Sequence, residues 1–135
     1  MLITREVDYS LRILRALADG KQRSIEEISR AEAAPKPFAY KIIKKLQKAA
    51  WIDIARGVEG GCRLKVDLHQ VTLYDLTDII GSGGAISPCL DEGYLCTRTA
   101  VCEEPCRIRV GLSGVQSSMD EVLKKHTLAE LIFGT

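Results

Sequence analysis

The chain has 135 residues, of which 46% are hydrophobic and 27% charged, a balance that describes a soluble globular protein and not a disordered one. No apolar run approaches the ~20 residues that cross a bilayer. The N-terminus, MLITREVDYS, lacks the apolar core of an export signal, so a reduced cytoplasm is the expected compartment. The net charge of +1 conceals an asymmetry: residues 1–65 hold 14 basic and 8 acidic side chains, residues 66–135 hold 5 and 10. A basic front half calls for an anionic partner, nucleic acid first.

From Thr4 to Ala18, Val7, Leu11, Leu14 and Ala18 recur at helical spacing and predict an amphipathic helix that Asp19-Gly20 ends. Ser24 with Glu27 forms a capping-box pattern, so a second short helix is expected to about Ala33. Ala34-Pro35-Lys36-Pro37 makes a tight turn into a third helix, with Phe38, Ile42 and Leu46 on its inner face. Trp51-Ile52-Asp53-Ile54 alternates as a strand, Arg56 to Gly61 is a glycine-rich turn, and Cys62 to Val66 returns as a second strand. Three helices and a hairpin are the layout of a winged helix-turn-helix.

Thr72 with Asp75 caps a further helix that ends near Gly81, and residues 82–105 have no apolar period and read as a loop. From about Glu103, Ile108, Leu112, Val115, Met119 and Val122 step by four, three, four and three. That is a lengthwise packing seam with a period near 3.5. Gly111 and Gly114 lower helix propensity there but allow close approach. A last helix starts at Thr127, capped with Glu130, and is expected to bury Leu128, Leu131 and Phe133. The fold class is therefore mainly α with a small β-hairpin wing. Residues 1–81 form a DNA-binding domain, 82–106 a cysteine-rich loop, and 107–135 a dimerisation helix with a C-terminal helix.

On the third helix Lys41, Lys44, Lys45 and Lys48 form one stripe opposite Phe38, Ile42 and Leu46. Four ammonium groups so placed repel one another unless an anion lies nearby, and the phosphates of a major groove would supply it. Lys36 and Tyr40 sit near the helix start, and Arg56 and Arg63 on the wing are placed for a minor groove or phosphate. A solvated lysine face, or an adaptor that docks this helix on an acidic protein, is the competing reading. His69 and His126 are isolated, with no catalytic constellation around them, so an enzyme is not expected.

Residues 89–106, CLDEGYLCTRTAVCEEPC, hold four of the five cysteines. Thiolates on a flexible loop suit an iron–sulfur cluster. Structural zinc prefers paired ligands, and here Cys102 and Cys106 come nearest to a pair. A thiol–disulfide switch is a third reading, since Cys106 stands at an expected helix N-terminus. Inert burial is a fourth, opposed by the interleaved Asp91, Glu92, Arg98, Glu103 and Glu104. Spacing leaves cluster and switch side by side.

Several segments carry a resemblance: TREVDYSLRILRALA, SIEEISRAEAAPKPFAYKIIKKLQKAAWI, the wing ARGVEGGCRL, TLYDLTDIIG, the cysteine loop and KKHTLAELI. Together they resemble the Rrf family of bacterial winged-helix regulators, in its IscR- and NsrR-like iron–sulfur branch, over nearly the full length. The resemblance implies a homodimer on double-stranded operator DNA, with crossed C-terminal helices and a [2Fe–2S] or [4Fe–4S] cluster in each subunit. It assigns Cys89, Cys96 and Cys102 as ligands. For the fourth it leaves Cys106, which follows Pro105 where relatives carry a His, or Asp8 of the first helix in the partner subunit. The chain departs from the family pattern at Cys62, where the wing normally has an aromatic residue, and at Gly111-Leu112, where a Trp is usual. Cys62 is expected to be a small packed residue with no ligand role.

Overall fold

In the computed structural model, the structure describes residues 3–81 and 84–134. The elements run α1 (Arg5–Ala16), α2 (Ile25–Glu32), α3 (Lys36–Lys48), β1 (Ile52–Ala55), β2 (Gly61–Leu64), α4 (Leu73–Ile80), α5 (Arg107–Lys125) and α6 (Leu128–Phe133). Two single turns of 3-10 helix, Pro88–Leu90 and Thr97–Ala100, interrupt the segment between α4 and α5. Four helices begin on a hydroxyl that accepts a first-turn N–H: Thr4, Ser24, Thr72 and Thr127. The Ser24 hydroxyl also donates to the Glu27 carboxylate at 3.1 Å. Pro37 occupies the first turn of α3, where a missing N–H leaves no hydrogen bond unmade.

The core lies between α1, α2, α3 and α4, with Leu128 and Ala129 of α6 closing it. The buried face of α1 is wider than the expected stripe. Val7 and Leu14 are buried as predicted, but Leu11 and Ala18 are only half-buried, while Ser10, Ile13 and Leu17 lie fully inside. The cause is that α2, α3 and α4 all pack on α1, so one narrow stripe cannot cover the contact. The Ser10 hydroxyl donates to the Glu6 carbonyl at 2.6 Å, which removes the penalty of burying it.

On α3 the inner face is Ala39, Ile42, Ile43 and Leu46, rotated from the one predicted. Phe38 is 43% exposed and rests its ring 5.6 Å from that of Tyr9, at the edge of the core. Both strands are offset by one residue at their starts from the expected bounds, and β2 ends two residues earlier, at Leu64. Trp51 precedes β1, and its carbonyl accepts from the amides of Lys65 and Val66, so these residues close the hairpin outside the ladder. In the antiparallel pair Ile52 faces Leu64 and Ile54 faces Cys62. Arg23 adds a bridge on the far side of Cys62, its N–H donating to the Cys62 carbonyl at 2.9 Å.

The capping boxes at Thr72 and Thr127 are complete, and the two caps pair across as an antiparallel bridge. In α6 Leu128 and Ala129 are buried, while Leu131 and Phe133 are 47% and 48% exposed, contrary to expectation. Six residues make fewer than two turns, and only the first turn reaches the core. Along α5 Leu123 is buried near the C-terminal end, and the seam residues Ile108, Val115 and Val122 are exposed, with Leu112 and Met119 half-buried. The helix starts at Arg107, just before the first seam residue Ile108, and Pro105 precedes its cap Cys106. Among the described residues no helix is long and apolar enough to cross a membrane.

Candidate DNA-binding face and cysteine loop

The lysine stripe of α3 divides in two. Lys44 and Lys48 are exposed, and neither forms an ion pair among the described residues; Lys44 Nζ sits 5.4 Å above the Tyr40 ring. Tyr40 is itself 54% exposed. Lys36 pairs with Glu26 at 2.6 Å, an exposed contact that solvent screens strongly. Arg56 and Arg63 are exposed on the wing, beside the fully exposed Val58.

Lys41 and Lys45 meet an anion within the chain, which the stripe alone does not reveal. Glu6, in the first turn of α1, places Oε1 2.8 Å from Lys41 Nζ and Oε2 3.2 Å from Lys45 Nζ. The Lys41 contact is an ion pair whose angles fall short of a hydrogen bond, leaving Oε1 shielded from water without one. Lys41 first, and then Lys45, hold the Glu6 carboxyl below its ordinary range against the opposing effect of burial. Lys45 Nζ also donates to the Ile80 carbonyl at 2.7 Å. In the sequence Glu6 looks like any acid in a first helical turn, so nothing distinguishes it there.

Asp8, the alternative fourth ligand, accepts from Arg12 at 3.3 Å and Arg5 at 3.4 Å. With Leu11, Arg12, Arg15, Leu131 and Ile132 it lines a groove between α1 and α6. Cys62 is 1% exposed in the core, and burial pushes its thiol up from its ordinary pKa. It is the small packed residue expected.

All five cysteines are free thiols. Cys89, Cys96 and Cys106 line one cleft of about 310 Å³ at the N-terminus of α5, together with Tyr94, Leu95 and Ile108. Cys102 is half-buried in the same loop but does not line that cleft. Among the described residues, no three His, Cys, Asp or Glu side chains converge on one metal position. Three thiols facing one partly apolar cleft are nevertheless the donor chemistry that iron takes, so the residue types fit a cluster once the loop draws together. The Cys106 thiol is held below its ordinary value, chiefly by the backbone N–H of Arg109 and then that of Ile108, with the Arg98 and Arg109 charges adding.

Two side chains that carry no signal in the sequence pin the loop to α5. Gln116 accepts from the Ile86 amide at 2.7 Å, and Arg109 donates to the Cys89 carbonyl at 3.0 Å. No spacing rule marks either residue, because both bind backbone of a segment without periodicity.

Residues 3–134 match the family described as Rrf2, iron-dependent transcriptional regulator. The protein aau3 of Rhizobium meliloti (strain 1021) is 28% identical over 134 residues, which is 98% of this chain and 85% of that protein. Among solved structures, T. potens IscR superposes with a TM-score of 0.66 at 19% identity, over 99% of this chain and 88% of that one. CymR (YrzC), the global cysteine regulator of B. subtilis, gives 0.72 at 20% identity, over 100% and 98%. The two structures share the winged-helix fold with this chain. The chain belongs to the Rrf2 family of transcriptional regulators, DNA-binding proteins and not enzymes.

Proposed function

We propose that the chain is a cytoplasmic, homodimeric transcription regulator whose affinity for operator DNA is set by an iron–sulfur cluster in the loop of residues 89–106. The observation that supports this reading best is the cleft at the start of α5. It gathers Cys89, Cys96 and Cys106 where the loop meets the first turn of the seam helix. Cys89, Cys96, Cys102 and Cys106 would hold the cluster, with Asp8 of the partner subunit as the alternative fourth ligand. Bound there, the cluster would supply an electron-transfer and oxygen-labile centre, of [2Fe–2S] or [4Fe–4S] type. The chain itself provides the coupling. Gln116 and Arg109 join the loop to α5, so a loop that draws in or relaxes shifts the seam helix and the spacing of the two α3 helices. On DNA, Lys36, Tyr40, Lys41 and Lys44 would face the major groove, with Arg56 and Arg63 of the wing on flanking phosphate.

Anaerobic purification tests the cofactor. A brown protein with visible absorption, and iron and sulfide in the protein peak, is expected; a colourless protein with stoichiometric zinc overturns it. Wild type beside Cys106→Ala and Asp8→Ala then identifies the fourth ligand, as the variant whose visible spectrum changes.

The free thiols support a second reading. Cys89, Cys96 and Cys106 share a cleft, and in this reading two of them would join as a disulfide, passing two electrons and two protons to a peroxide oxidant. A colourless, metal-free protein that gains one intramolecular disulfide with hydrogen peroxide, and changes its DNA affinity as it does so, supports this reading over the first.

A further inference from the structure

We propose that Lys45 is not a phosphate contact but a positioning residue that ties the recognition helix to the end of α4, where the chain enters the cysteine loop. The inference rests on α3 being the DNA-reading helix. Three observations carry it. The Lys45 side chain is 31% exposed, against 62% for Lys41 one turn earlier, so its ammonium group is turned inward. Its Nζ donates to the Ile80 carbonyl at 2.7 Å and lies 3.2 Å from Glu6 Oε2, so one charge joins α1, α3 and α4. Ile80 is the last residue of α4, where carbonyls lack intrahelical partners and the dipole favours a cation.

The chemistry decides between the two roles. An ammonium group already satisfied by a carboxylate and a helix-end carbonyl gains little by moving to a phosphate, and would leave the Ile80 carbonyl without this donor and Glu6 with Lys41 alone. Lys44 has no such ties among the described residues and can displace counterions. Ile80 is the last helical residue before Gly81, which is left-handed at φ 77, so a displacement of the α4 C-terminus would be felt at Lys45 and through it at α3. Lys45 is thus the link from the sensor loop to the reading head within one subunit.

The test uses the full chain and a duplex selected by the wild-type protein from a random-sequence library. Affinity is measured across a salt series, before and after iodoacetamide treatment, which modifies loop thiols and spares the buried Cys62. Lys44→Gln is expected to reduce the log–log salt slope by about 0.9, one phosphate contact. Lys45→Met is expected to leave that slope as in wild type, and to shrink the iodoacetamide effect on affinity at least threefold. If Lys45→Met lowers the slope as Lys44→Gln does, or leaves the iodoacetamide effect intact, the positioning role is overturned. Should Lys45→Met lose its fold by circular dichroism, Lys45→Gln is measured in its place, with the same slope and the same loss of the iodoacetamide effect expected. A wild-type chain that selects no duplex overturns the DNA-reading face itself, an outcome distinct from a wild type that binds while only Lys45 misbehaves.

Discussion

A methyl group on Gly61 would meet the Arg23 carbonyl oxygen at 2.6 Å, the Arg23 carbonyl carbon at 2.8 Å and the Ser24 amide at 3.1 Å. All three are backbone atoms, and the strand is held against them by the Arg23–Cys62 bridge, so neither side can yield cheaply. Gly61→Ala is therefore predicted to cost about 1–3 kcal/mol, by overpacking, and to loosen the wing. Urea unfolding followed by Trp51 fluorescence measures it; an unchanged midpoint would show that the close approach does not restrain the hairpin. Glu6 makes a prediction with a sign in pH. Its folded pKa lies below the ordinary 4.5, so its contribution to stability is present above that value and is lost as the pH falls through the folded value. Glu6→Gln is expected to cost about 1 kcal/mol at pH 7, since the pairs are partly screened, and progressively less as the pH drops below the ordinary glutamate value. Thermal melts of wild type and variant at neutral and acid pH check this, and a difference that stays constant would remove the ion pair as its cause.

The caps of α4 and α6 form one structure, which makes the helices they start interdependent. Leu73 N–H donates to the His126 carbonyl and Leu128 N–H to the Val71 carbonyl, each at 2.9 Å, so each cap is braced by the residues flanking the other. Thr72→Ala and Thr127→Ala are each expected to cost about 1 kcal/mol. The double variant is expected to cost less than their sum, because either loss already loosens the shared bridge. Chemical denaturation of the four proteins gives the coupling; strict additivity would mean the caps act separately. These caps are also where the sequence was most legible. S/T-x-x-E/D states a local exchange of hydrogen bonds, and the structure makes three of the expected boxes or their near equivalent at Ser24, Thr72 and Thr127. Helix order, the wing and Cys62 as a packed core thiol were legible for the same reason, since each follows from short-range pattern. Which face each helix buries was not. Phe38 looked like a core residue and Ala39 did not, yet the rotation of α3 is set by the helices packed on it, α1, α2 and α4, of which α1 and α4 lie far along the chain. Likewise Glu6, distant in sequence from Lys45, became visible only when the fold brought α1 against α3. The thiol cleft was half legible: the four cysteines were plain, but the exclusion of Cys102 from the cleft depends on an irregular backbone that no period describes.

At the scale of the whole molecule, α5 carries what a single subunit leaves unfinished. Ile108, Val115 and Val122 are 72%, 50% and 53% exposed along one line of a 19-residue helix. That helix is about 28 Å long, and a line of exposed β-branched residues on it loses hydrophobic stabilisation unless something covers it. A Cβ placed on Gly111 or Gly114 would meet no atom within 4 Å beyond its own stretch of helix, so the space beside them is open to a second helix. In the proposed homodimer a second α5 would cover this line, because the 3.5-residue period presents the same seam on each copy. Pairing would also set the two α3 helices at a fixed separation, which a palindromic operator needs to be about one DNA turn, ~34 Å. Val115 lies at the middle of the seam, so Val115→Lys would bury two like charges against each other in the pair. The expected outcome is monomer by sedimentation velocity at micromolar concentration, with duplex affinity reduced at least tenfold. Ser117→Lys, on the outward side of the same helix, is expected to remain dimeric and to bind as wild type does. A Val115→Lys protein that sediments as a dimer would take the seam out of assembly, and a wild-type chain that is monomeric yet binds tightly would show that one subunit reads DNA alone.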